Sequence, residues 1–75
     1  MARLDRVVFT SHARRRMDER GATEWDIRRA LRTATAAVHQ PDRRAWRVEG
    51  GVDIDGDPLT LICDVRADVV VVTLF

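Results

Sequence analysis

The residues best equipped for chemistry fall in one short stretch, Thr10-Ser11-His12-Ala13-Arg14-Arg15-Arg16-Met17-Asp18-Glu19-Arg20-Gly21. His12, Arg16 and Arg20 stand at i, i+4 and i+8, which on a helix is one face. An imidazole titrates near neutrality, and a guanidinium is a permanent cation whose planar fork of donors suits phosphate. Acid–base chemistry at a phosphate needs a group that moves the proton and fixed cations on the phosphate oxygens. His12 is the candidate for proton transfer, and Arg16 and Arg20 are the candidates for holding the scissile phosphate. Arg47, expected on a strand away from the core-facing residues, would supply a third cation. Arg14 and Arg15 on the same helix, and Thr73 on the last strand, are candidates for substrate contacts.

Each of these residues also has an architectural reading. An imidazole in the first turn of a helix often packs against a sheet or bonds a backbone carbonyl. Arg16 and Arg20 can bridge to Asp18, Asp64 or acids of a second helix, contacts worth only ~0–1 kcal/mol when exposed. His39 lies near a turn and reads as solvated. Cys63 alternates with Leu61 and Val65, which makes it a core residue and not a nucleophile. Trp25 and Trp46 could stack on bases beside arginines. Trp46, however, is in phase with Val48 and Val52, and core packing is expected for it. Asp53-x-Asp55-x-Asp57 has the spacing of a calcium loop but lacks its terminal glutamate, and a hairpin turn accounts for it. The remaining acids and histidines show no ligand spacing, so neither a metal nor a cofactor is expected.

The elements that must position these residues follow from pattern. Arg6 to Phe9 is β-prone and runs straight into a helix over Ser11–Arg20, begun by Thr10 or Ser11 and ended by Gly21. Ala13 and Met17 are the apolar residues available to seat it. Thr23-Glu24-Trp25-Asp26 resembles a capping box opening a second helix. Ile27, Ala30, Leu31 and Ala34 form its buried face, with Arg28, Arg29 and Arg32 outside. Ala36 to Gln40 reads as a short extended segment before a turn at Pro41-Asp42. Alternation from Ala45 to Ile54 predicts one long strand, bent at Gly50-Gly51. A hairpin at Asp55-Gly56-Asp57-Pro58 leads to a strand beginning at Leu59, and Val69–Phe75, apolar on both faces, is expected to be central. The first strand is its natural neighbour. The expected fold is therefore α+β: strand, helix, helix, then a three-stranded antiparallel meander, with two helices packed on one face of a curled sheet.

Seventy-five residues make a single domain, 1–75, whose thin stability margin a partner or a homodimer would widen. One cysteine excludes an internal disulfide. Met1-Ala2-Arg3-Leu4-Asp5-Arg6 leads into only three apolar residues, and Val69–Val72 is too short to span a bilayer. A cytoplasmic protein with no membrane partner is expected. The net charge of +1 conceals an asymmetry. Residues 1–47 carry twelve arginines against six acids, whereas residues 48–75 carry one arginine against six acids. The basic half suits a phosphate-binding surface or, equally, helices facing an acidic sheet edge.

His12, Ala13, Arg16, Met17, Arg20 and Gly21 form the pattern H-A-x-x-R-M-x-x-R-G, continued by Thr23, Asp26, Ile27 and Ala30-Leu31, the two hairpin strands and the terminal V-V-V-T-L run. The chain so resembles domain-of-unknown-function family 4258, small prokaryotic proteins, over nearly its whole length. That family in turn resembles the RelE/ParE-like toxins, whose fold is a strand, two helices and an antiparallel sheet. The resemblance implies a metal-independent endoribonuclease toxin, or a catalytically inactive relative that binds RNA or a protein through its basic helix face. It further implies RNA, including ribosome-bound mRNA, as substrate, and a cognate antitoxin of zinc-ribbon or helix-turn-helix type as partner.

Overall fold

The structure, a computed structural model, describes residues 3–75, with side chains described for 6–42 and 44–75. The elements are β1 (Arg3–Phe9), α1 (Ser11–Arg20), α2 (Glu24–Thr33), β2 (Ala36–Gln40), a 3-10 turn (Pro41–Arg43), β3 (Ala45–Glu49), β4 (Leu61–Val65) and β5 (Asp68–Leu74). They form an α+β unit with one five-stranded sheet in the order β1-β5-β4-β3-β2. β1 is parallel to β5, and the other neighbours are antiparallel.

Both helices begin and end where side-chain chemistry dictates. The Thr10 hydroxyl accepts from the Ala13 N–H, and Gly21, at φ 74°, ends α1 in the left-handed conformation. In α2 the Thr23 hydroxyl accepts from the Asp26 N–H while the Asp26 carboxylate accepts from the Thr23 N–H. Ala13 and Met17 of α1 join Ile27 and Ala30 of α2 in one core with Leu59, Leu61, Cys63, Val69, Val71 and Leu74. β5 is an interior strand, between β1 and β4, as its apolar composition requires.

Three expectations are corrected. The antiparallel part of the sheet has four strands, β2 to β5, so with β1 the sheet has five and not the meander of three. Ala36–Gln40 pairs residue by residue with Ala45–Glu49, because Pro41–Arg43 and the left-handed Arg44 reverse the chain tightly enough to keep register. The long strand Ala45–Ile54 ends at Glu49. Gly50 turns the chain at φ 79°, and Gly51 then lies so close under α2 that a Cβ there would be 2.3 Å from the Ala30 carbonyl oxygen. Beyond it only Val52 and Pro58 bridge, and β4 starts at Leu61, two residues after the expected Leu59.

Trp46 is the third correction. Its register partner is Cys63, which places it on the helix-bearing face, yet it is 38% exposed. The main helix contacts of α1 are with β5 and β1, and those of α2 with β1, so the β3–β2 end of that face is left less covered. Its ring packs against His39 across the strand pair, with centroids 4.9 Å apart.

Candidate functional site

β1 stops at Phe9 opposite Val71, so the last residues of β5 have no strand on that side. The chain passes into α1 there, with Thr10 N–H donating to the Val71 carbonyl at 3.1 Å and its hydroxyl to the Val72 carbonyl at 2.9 Å. Phe75 and Thr60 exchange both backbone hydrogen bonds, 2.9 and 2.8 Å, toward the β4 side. Alternation along a strand then turns the Leu74 carbonyl to the open side. Arg16 Nε donates to it at 3.3 Å, taking the place of a missing strand neighbour. One turn on, Arg20 Nη2 donates to the Pro58 carbonyl at 2.5 Å.

These two anchors fix both guanidiniums, whose backbone positions lie about 6 Å apart along the helix axis. They line a depression of about 310 Å³ together with Glu19, Leu74 and Phe75. Glu19 belongs to the same face, seven residues after His12, and pairs with Arg16 Nη1 at 3.3 Å. Sequence reasoning passed over it, although its spacing was the signal. The arginines do not bridge to Asp18 or Asp64. Arg16 is instead paired with Glu19 and two backbone-anchored contacts hold the stripe. Asp26 does feel Arg20: its carboxyl is held below the ordinary value by the Thr23 backbone N–H first, against burial, with help from the Ile54 N–H, the Thr23 hydroxyl and the Arg20 charge.

His12 is exposed and has no hydrogen-bond or ion-pair partner among the described residues. Among the described residues it thus bonds no backbone carbonyl. Arg15 is exposed and also has no such partner among the described residues. Arg14 stands on the other flank of α1, 3.9 Å from Glu24 and over the Phe9 ring at 5.2 Å, away from Arg16 and Arg20.

Arg47 reaches the same region from beneath. Its Nε pairs with Glu49 at 3.1 Å and its guanidinium lies over the Phe75 ring at 5.0 Å. Phe75 lines the Arg16–Arg20 depression and a second cavity that contains Arg47, so one aromatic residue separates the two cationic groups. Thr73 is opposite Ile62, which is opposite Arg47, and so belongs to the helix-free face with Arg47 and not to the His12 stripe.

Other reactive groups are occupied or inert. Burial pushes the Cys63 thiol up to about 12. The Asp53 carboxylate accepts from the N–H groups of Asp55 and Asp57, each at 2.9 Å, and so organises the turn. Among the described residues, no three His, Cys, Asp or Glu side chains are grouped to hold a metal ion. Among the described residues, no helix is long and apolar enough to cross a membrane.

Two helices on a mixed five-stranded sheet, with a helical arginine stripe anchored at the open flank of β5, define the kind of protein this is. The sequence profile of the family described as "Domain of unknown function (DUF4258)" matches residues 9–75, and the chain belongs to that family. No curated protein and no solved structure matches it.

Proposed function

We propose that this protein binds the phosphodiester backbone of RNA through Arg16 and Arg20. The observation that carries this reading is the double anchor on Leu74 and Pro58, which holds two guanidiniums in place before any ligand arrives. Donors fixed in advance lose less conformational freedom on binding than free arginine side chains do. Arg15, without a partner among the described residues, adds charge beside them. The test is fluorescence anisotropy with a short single-stranded RNA over a range of salt. Arg16→Ala with Arg20→Ala should weaken binding at least tenfold and flatten its salt dependence. Unchanged affinity would sink the proposal.

A second reading adds chemistry to the same face. His12 is exposed, has no partner among the described residues and stands one helical turn from Arg16, which favours its use as acid or base in metal-independent RNA cleavage. This is the activity of a RelE-like toxin, held in the cytoplasm by an antitoxin covering the arginine stripe. The sequence has neither lysine nor tyrosine, and proton transfer would rest on His12 with Glu19, whose carboxylate already pairs with Arg16. Inducing the chain alone in a bacterial host should arrest growth and degrade RNA, and His12→Ala should abolish both. Normal growth with folded wild-type protein would leave RNA binding without cleavage.

A further inference from the structure

The cavity on the helix-free face of the sheet has a feature the arginine stripe lacks. Gln40 lines it, and the side-chain oxygen Oε1 of Gln40 is buried and has no hydrogen-bond partner among the described residues. Burying an acceptor without a donor is costly, so such an atom beside a cavity marks a place where a donor belongs. The cavity measures about 480 Å³, and its lining includes Val38, Gln40, Asp42, Arg47, Ile62 and Phe75, with His39 beside them. Val38 and Ile62 are apolar, while Phe75 offers an aromatic ring already paired with the Arg47 guanidinium. The ligand that fits is flat, largely apolar on its faces and carries an N–H donor at its edge.

We infer that this cavity is a nucleobase pocket, in which one RNA base donates an N–H to Gln40 Oε1 while a neighbouring phosphate rests on Arg16 and Arg20 across Phe75. The inference rests on the RNA-binding reading and deepens it. Arg47 in the same wall would attract a phosphate but is already paired with Glu49 and the Phe75 ring, and a phosphate presents only acceptors to the orphan oxygen and a charge of the same sign to Asp42. A base offers both the donor and the faces for stacking. Phe75 belongs to both depressions, so base and phosphate sites are adjacent on one strand of RNA.

The test uses nucleosides, which have no phosphate. Adenosine titrated into the folded protein should shift the NMR signals of the Gln40 side-chain amide and the Phe75 ring. Gln40→Met should weaken it at least tenfold and Gln40→Glu, which keeps an acceptor, should retain binding. N6,N6-dimethyladenosine lacks the base donor and tests the same contact without altering the protein; it should bind at least tenfold more weakly. Equal binding of the two nucleosides, or no movement of the Gln40 and Phe75 signals at millimolar adenosine, would overturn the pocket. Arg16→Ala with Arg20→Ala should leave adenosine affinity unchanged while weakening single-stranded RNA. Loss of neither RNA nor adenosine binding in that variant overturns the phosphate site and leaves the base pocket standing, so the two failures are distinct.

Discussion

Arg16 and Leu74 are 58 residues apart in sequence and joined by a single hydrogen bond, Nε to carbonyl oxygen at 3.3 Å. That bond gives Arg16 a part in the fold, and under the proposed function the same side chain would also hold RNA phosphate. Arg16→Ala should lower stability by about 0.5–1.5 kcal/mol, the usual worth of such a bond, and also weaken RNA binding. Arg15→Ala, at an exposed position with no ion pair among the described residues, should weaken RNA binding with stability unchanged. Denaturant melts beside anisotropy titrations separate the two effects.

Asp26 ties the start of α2 to the loop after β3, because its Oδ1 accepts from the Ile54 N–H at 3.1 Å while Oδ2 serves Thr23. Asp26→Ala removes a cap and a loop anchor together and should cost about 1–2 kcal/mol. The pH dependence follows from the lowered carboxyl. The unfolded chain binds a proton at Asp26 more readily than the folded one, so the contribution is present above the ordinary value of 3.8 and is lost as pH falls through the folded value. Wild-type stability should drop on acidification below about pH 4, and Asp26→Asn should flatten that drop. An equally steep acid transition in the variant would assign it to other carboxylates.

Gly51 and Gly56 make opposite use of having no side chain. A Cβ at Gly51 meets the backbone of Ala30, whereas one at Gly56 meets nothing within 4 Å. Gly51→Ala should therefore cost about 1–3 kcal/mol through forced separation of α2 from the loop. Gly56→Ala should cost only about 1 kcal/mol, from its left-handed φ of 86°. Thermal melting of the two variants ranks them.

Cys63 is fully buried and its thiol is pushed up to about 12. Little thiolate exists at neutral pH, so alkylation of the native protein by iodoacetamide should be slow. It should become fast in denaturant. Rapid labelling under native conditions would mean that β4 opens locally.

Much of this architecture was legible in the chain. Thr10, Gly21, Thr23 and Asp26 delimit the helices through local hydrogen bonds that sequence spacing encodes directly. Alternation assigned Cys63 to the core, and the all-apolar composition of the last strand placed it inside the sheet and not at an edge. The errors arose where contacts are distant. Trp46 carries the period of a core residue, but how far the helices reach over the sheet is set by tertiary packing. The strand after Glu49 fails because Gly51 is needed under Ala30, a contact 21 positions away. His12, Arg16 and Arg20 were legible as a face. What Arg16 and Arg20 hold was not, since Leu74 and Pro58 offer backbone carbonyls that no side-chain pattern announces.

The position of β5 between β1 and β4 has a kinetic consequence. Arg3 is matched with Asp68 and Phe9 with Val71, so the parallel pairing closes a loop of about sixty residues. The helices and the β2–β3 hairpin can form early from local contacts, yet they have no floor to settle on until the strand made last arrives. Folding of so short a chain should therefore be limited by one long-range closure, and slow for its size.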